Sequence, residues 1–232
     1  MPLDAQIAAR LTPITTTTVL GRTVSALIAK PQTTGPAPGL VLFHAFKGLT
    51  DEFKELAVTY ADHGYVTIAA DLLEGKTSDG FLSAMLRMMF LSQEKTQDTA
   101  VSWVRYLRGS AACSGKVGTI GWCFGGRWSL NTSIATPVDA TVVYYGTVDR
   151  PVADLAKLSG PVQGHFGTLD RIVKKPSVEN FAGNMKAAGK QLDLHFYDAN
   201  HAFANPGGKW FNAGCATQAD ARTLQFLKLT LG

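Results

Sequence analysis

At 232 residues, 46% hydrophobic and 17% charged, the chain is long enough for one well-buried domain over 1–232 and too apolar to be disordered. Its net charge of +4 comes from scattered Lys and Arg with no run longer than Lys174-Lys175, which reads as solvated surface and excludes a nucleic-acid footprint. Three cysteines with no CxxC pair and no zinc-ligand spacing exclude a disulfide framework and a metal site, and no segment has signal-peptide or membrane-spanning character, so a cytoplasmic protein without membrane or nucleic-acid partners is expected.

In chain order, the first strands are predicted at Thr15–Leu20 and Thr23–Ala29, with Gly21 at the turn between them. The Pro- and Gly-rich residues 31–39 form a loop. Leu40-Val41-Leu42-Phe43 is a continuous apolar run, the pattern of a strand buried on both faces. A helix over 52–63 closes at His63-Gly64, and the next strand covers 65–70 and ends in Asp71. A helix over 93–108 precedes a strand at 116–121, and residues 127–133 have helix-compatible composition. Further strands are predicted at 139–145, 161–166 and 192–197, and an amphipathic helix at 217–230 shows Ala221, Leu224, Leu227 and Leu231 on one face. Alternating strands and helices predict an α/β fold with a mostly parallel central sheet and helices on both faces. Ligands of such sheets bind beyond the carboxyl ends of the strands.

The turn after the 116–121 strand reads Gly121-Trp122-Cys123-Phe124-Gly125-Gly126. A strand, a Gly-X-nucleophile-X-Gly turn and a helix make the nucleophile elbow of the α/β-hydrolase fold, here with a thiol in place of the usual hydroxyl. On the motif alone two readings stand, a catalytic thiol and a buried cysteine beside a glycine turn. A nucleophile of this kind needs a base, and the base needs an orienting carboxylate, in the chain order nucleophile, acid, histidine. Asp170 follows the 161–166 strand in Gly167-Thr168-Leu169-Asp170, and His201 follows the 192–197 strand in Asn200-His201-Ala202-Phe203. Each by itself reads equally as a turn or surface residue; the three together, in order after three strands, point to a Cys123–Asp170–His201 triad. His165 precedes Asp170 and breaks that order, His63 ends a helix, and His195 lies mid-strand. The backbone N–H groups of Phe46, after the third strand, and Phe124 are the expected oxyanion hole, with His44 as a structural neighbour.

The segments Gly118–Gly126, Tyr144-Tyr145-Gly146, Gly167–Asp170 and His201-Ala202-Phe203, with Ala70-Asp71-Leu72, resemble the dienelactone hydrolase family from about residue 23 onward. The resemblance implies hydrolysis of a small-molecule ester or lactone by a Cys–His–Asp triad without metal or organic cofactor; a monomer or homodimer is expected. It also exposes departures. Where the family's type enzyme gates its thiol with a glutamate, this chain has Ala45, with Lys47 two residues on. Where that enzyme grips a substrate carboxylate with an arginine and a tyrosine, this chain has Phe81 and Met85, and Asn205 stands for a further arginine. The apolar segment 80–91 is either core or pocket lining, and its Arg87 is the cation available to meet a carboxylate. Trp210, beside Gly207-Gly208, is either a flap over the site or a docked surface residue. These replacements predict a substrate less polar than dienelactone. The alternatives are a carboxymethylenebutenolidase acting on dienelactone itself, a thioesterase-like enzyme, and a non-catalytic ligand-binding member of the fold.

Overall fold

After three successive strands, short strands alternate with helices, and a computed structural model describes residues 3–77, 80, 83–84, 86–87 and 90–232. Two units divide it, residues 1–117 and 118–232. The first contains α1 (Ala5–Ala9), β1 (Thr12–Thr17), β2 (Thr23–Ala29), β3 (Ala37–Phe43), α2 (Asp51–Asp62), β4 (Val66–Ala70) and α3 (Gln93–Gly109). Its strands lie in the order β1-β2-β4-β3, with β1 and β4 antiparallel to β2 and with β3 parallel to β4. Leu40 to Phe43 are all buried, as their unbroken apolar run requires. Helix α2 packs on β2 and β4, and α3 packs on β1 and β3.

The first strand runs over 12–17 rather than 15–20. Thr18 N–H donates to the Arg22 carbonyl at 2.9 Å and closes the turn earlier than the β-branched run suggests. The Asp98 carboxylate then accepts from the N–H groups of Val19 (3.0 Å) and Leu20 (3.2 Å), tying that turn to α3. At the far end of β3, the His44 ring is buried. Its Nδ1 donates to the Ala45 carbonyl at 2.7 Å, while Nε2 accepts from Leu72 N–H at 3.1 Å. Burial pushes its pKa down, in keeping with a neutral ring that joins the ends of β3 and β4.

The second unit carries β5 (Cys113–Trp122, entering from the last residues of the first), α4 (Phe124–Ala135), β6 (Ala140–Tyr144), α5 (Val152–Leu155), β7 (Val162–Gly167), α6 (Lys175–Ala187), β8 (Leu192–Tyr197) and α7 (Ala213–Leu231). Strands β5 to β8 pair in sequence order and are all parallel. Cys113 is a buried residue at the start of β5. Helix α6 falls outside the expected elements, although Val178, Phe181 and Met185 recur at helical spacing and enter the core with Val143, Val162 and Phe166. Helix α7 starts four residues earlier than expected, because the Asn212 side chain caps it by accepting from Cys215 N–H at 3.1 Å. Cys215 is therefore a first-turn residue of a helix. The buried face of α7 is Ala216, Ala219, Thr223, Phe226, Leu227 and Leu231; Ala221 is exposed, so the expected stripe is rotated from the true one.

Among the described residues no helix is long and apolar enough to cross a membrane, and no group of three His, Cys, Asp or Glu side chains could hold a metal ion.

Candidate active site

The last residue of β5 is Trp122 and the first of α4 is Phe124, so Cys123 is the whole connection between a strand and a helix. Such a sharp reversal forces Cys123 to φ 56°, ψ −112°, a backbone region that side-chain-bearing residues seldom occupy. Gly121 makes the turn possible: a Cβ there would sit 2.0 Å from the Gly125 carbonyl oxygen. Cys123 N–H donates to the Tyr144 carbonyl at 2.9 Å, fixing the elbow to the end of β6. Helix α4 is held close beneath by hydroxyls rather than an apolar stripe. Ser129 donates to Thr119 Oγ1 at 2.9 Å, Thr141 donates to Ser133 Oγ at 2.7 Å, and all four side chains are buried. Short hydroxyls allow closer approach than leucines would, and they explain why the sequence shows only helix-compatible composition there.

The acid and histidine loops are built against each other. Thr168 N–H donates to the Tyr197 carbonyl (2.8 Å) and Leu169 N–H to the Ala199 carbonyl (3.1 Å). Gly167 stands where a Cβ would meet the Ala199 oxygen at 2.2 Å, so glycine is what lets the loops approach this closely. Asp170 Oδ1 accepts from the N–H groups of Ile172 (2.7 Å) and Val173 (2.9 Å), leaving Oδ2 to accept from His201 Nδ1 at 2.8 Å. That bond aims Nε2 at the Cys123 sulfur, 3.2 Å away. Asp170 and His201 are buried, whereas Cys123 is half-buried. The structure therefore brings together all three residues that the sequence places after β5, β7 and β8.

Electrostatics at this site favour a charged imidazole. Burial alone pushes the His201 pKa down, but the Asp170 hydrogen bond, then the bond to Cys123 and the charges of both partners, outweigh it and raise the pKa to about 9. The raised pKa favours a ring that takes up the thiol proton, and the sulfur also lies at the positive N-terminus of α4. A thiol in this setting can lose its proton to the ring and attack an electrophilic carbon, and the ring can return the proton to a leaving group.

The remaining expected positions are scattered. Phe124 is buried at the start of α4, its ring edge-on to Trp128 at 6.1 Å. Phe46 is half-buried in the turn after β3 in the first unit, and its assignment as an oxyanion donor rests on the sequence alone. Arg87 is half-buried, and its Nη1 donates to the Lys76 carbonyl at 3.0 Å. Trp210 is 48% exposed, with Lys209 Nζ 5.5 Å from its ring centroid. Phe81 and Met85 lie outside the described residues. Lys47 is exposed.

Sequence reasoning gave Tyr145 no role, yet its ring lies edge-on to His201 at 5.3 Å and to Phe203 at 5.4 Å. Its backbone sits at φ 38° directly after β6. The signal was the Tyr144-Tyr145-Gly146 segment at a strand end, where a positive φ in a bulky residue marks a position held by its surroundings.

Residues 24–231 match the dienelactone hydrolase family. The chain is 27% identical to the carboxymethylenebutenolidase of Pseudomonas putida, covering 89% of this chain and 92% of that one. It is 26% identical to carboxymethylenebutenolidase 1 of Cupriavidus pinatubonensis, covering 90% and 93%. Among solved structures it is similar to a dienelactone hydrolase-like promiscuous phosphotriesterase from metagenomic libraries, at TM-score 0.84, 21% identity and coverage of 96% of this chain and 100% of that one. It is likewise similar to an esterase of Thermogutta terrifontis, at TM-score 0.67 and 18% identity over 94% and 91%. The α/β-hydrolase fold agrees with these relatives: this chain belongs to the dienelactone hydrolase family and is a hydrolase of carboxylic esters or lactones.

Proposed function

We propose that the chain hydrolyses a small ester or lactone through Cys123, His201 and Asp170 by way of an acyl-thioester, and that its substrate is less polar than dienelactone. The observation that carries this reading is the 3.2 Å approach of His201 Nε2 to the Cys123 sulfur, with Asp170 holding the opposite ring nitrogen at 2.8 Å. His201 holds the Cys123 proton, and the thiolate attacks the carbonyl carbon as the C=O electron pair moves to oxygen. Backbone N–H groups receive that oxygen, with Phe124 as one donor and Phe46 as the second. Collapse expels the alkoxide, which takes the proton from His201 and, in a lactone, stays tethered to the acyl group. Water then gives a proton to His201 and attacks the thioester carbonyl. Cys123 leaves as thiolate and the carboxylic acid departs. Asp170 orients the ring and stabilises its charged form without taking the proton itself.

The less polar substrate is supported by the chain's own replacements. Ala45, Phe81 and Met85 offer neither the glutamate nor the arginine and tyrosine of the family's carboxylate-handling site, while Trp210 remains a candidate for substrate contact. The glutamate that gates the family's thiol is also absent, so Cys123 is expected to be alkylated by iodoacetamide well below the ordinary thiol pKa of about 8.5. Two measurements test the reading. Brief exposure to an activated neutral ester, followed by acid quench and peptide mass spectrometry, is expected to find the acyl group on Cys123; an acyl group elsewhere, or none despite turnover, rejects the thioester. Comparing kcat/KM for a neutral lactone with that for its carboxylated counterpart is expected to favour the neutral one, and a strong preference for the acid rejects the polarity argument.

A further inference from the structure

A cavity of about 430 Å³ opens entirely within the first unit. Its volume falls within the ~300–1,000 Å³ of small-molecule sites. The cavity lies beyond the end of β4 and the start of β2, at the first turn of α3, and its lining holds four cations, Arg22, Lys76, Arg87 and Lys95, against two carboxylates, Asp71 and Glu74.

Neither carboxylate serves the three outer cations. Glu74 pairs with Arg22 at 3.2 Å. Asp71 Oδ1 accepts from Leu73 N–H at 2.9 Å and its Oδ2 from Gly75 N–H, so it is bound up in the loop that follows β4. Arg22 is anchored further, donating to the Lys95 carbonyl at 2.8 Å and to Thr99 Oγ1 at 2.6 Å, which makes its guanidinium a fixed wall. Arg87 donates to the Lys76 carbonyl, and among the described residues no carboxylate pairs with Lys76, Arg87 or Lys95. The helix behind them is 17 residues long and turns its positive end to the same space, with Ser92 as its cap. On the other side the cavity is apolar: Leu72 and Leu73 are buried beside it, and Phe90, 84% exposed, stands at its rim.

We propose that this cavity, lined by first-unit residues, is a binding site for a small amphipathic organic anion. The ligand would carry its charge as a phosphate monoester or paired carboxylates toward Lys76, Arg87 and Lys95, and would lay an aryl or alkyl body against Leu72, Leu73 and Phe90. Three cations that have no carboxylate partner among the described residues repel one another and gain from a shared anion. An exposed phenylalanine at the mouth of a charged pocket gains from an apolar partner. The proposal does not depend on the thiol chemistry, because Cys123, Asp170, His201, Phe46 and Phe124 are all absent from the cavity lining.

The test uses the full chain with Cys123 blocked by iodoacetamide, so that binding in the catalytic cleft is not counted. Titration calorimetry is expected to show phenyl phosphate binding at least about tenfold more tightly than benzyl alcohol and than inorganic phosphate, with affinity falling as salt is added. Lys95→Glu and Lys76→Glu, both exposed positions whose folding is checked by circular dichroism, are each expected to weaken phenyl phosphate at least about tenfold. Equal binding of the alcohol removes the anionic part of the proposal, and equal binding of inorganic phosphate removes the apolar part. Affinity unchanged in both lysine variants, or absent in the blocked protein, overturns the site altogether. Loss of acylation at Cys123 in unblocked protein would bear on the hydrolase reading alone.

Discussion

His201 and His165 are both buried side chains of the second unit, yet their proton affinities move in opposite directions. His165 sits within β7, fully buried, with Nε2 donating to Gln163 Oε1 at 2.9 Å and Nδ1 accepting from the Tyr197 hydroxyl at 2.8 Å; Thr223 Oγ1 lies 3.0 Å from Nε2. All of its partners are neutral. Burial drives its pKa well below the ordinary value, and the nearby His195 and Arg222 push it the same way. His201 bears the same desolvation penalty but faces a carboxylate and a sulfur, and its pKa is raised to about 9. Burial therefore does not decide whether a histidine is a structural strut or an acid–base group; the charge of what it faces does. One ring locks a strand, and the other is poised to exchange protons.

The contrast can be broken first at the sulfur. Cys123→Ala removes the proposed nucleophile and is expected to lower kcat by on the order of 10⁶-fold. The His201 pKa, read by NMR titration, should fall below about 9 because the sulfur's hydrogen bond and charge are lost. Retention of substantial turnover would mean that another group attacks the substrate. Next is the carboxylate: Asp170→Asn keeps the shape of the loop but removes the charge and presents the ring with the wrong hydrogen-bond partner. A loss of roughly 10⁴-fold in kcat is expected, with a downward shift of the His201 titration. An unmoved titration would show that the carboxylate is not what raises it.

The smallest effect lies in stability against pH, where the two rings carry opposite signs. His201 is raised from 6.5 to about 9, so its contribution to stability is fully present below pH 6.5 and is lost as pH climbs from 6.5 through 9. His165 is lowered, so the folded state resists the proton that the unfolded chain takes up, and stability falls as pH drops below 6.5. Each slope is bounded by one proton, about 1.4 kcal/mol per pH unit. Urea unfolding of the wild type, His201→Gln and His165→Gln across pH 5–9 reads both slopes. His201→Gln should flatten the alkaline limb and His165→Gln the acid limb. The reverse pattern would overturn the assignment of roles.

How much of this was legible in the chain follows from the range of the forces involved. The elbow is a local object. Gly121 and Gly125 flank Cys123 at a spacing dictated by the turn itself, and the strand before it declares itself by its apolar run, so the motif could be read directly. Asp170 and His201 were legible through order alone, because loops after parallel strands must emerge at one edge of the sheet. Tyr145 was not legible, since its value lies in a ring-to-ring contact with His201 that no spacing encodes. The buried face of α7 was misread because Thr223 is buried for its hydrogen bonds to Tyr144 and His165, whereas Ala221, though apolar, meets solvent. The cavity of the first unit escaped notice for a related reason: Arg22, Lys76, Arg87 and Lys95 are dispersed along the chain and look like solvated surface charge.

The sequence by itself determined the succession of strands, the thiol turn and the identities of the three residues behind the proposed chemistry, because each depends on backbone sterics, hydrophobic periodicity and chain order. Only the tertiary structure decided which imidazole has its pKa raised and which lowered, and which cations share a cavity. Both depend on distances of a few ångströms between groups far apart in the chain, and Coulomb and desolvation energies respond to distance in space rather than to separation in sequence.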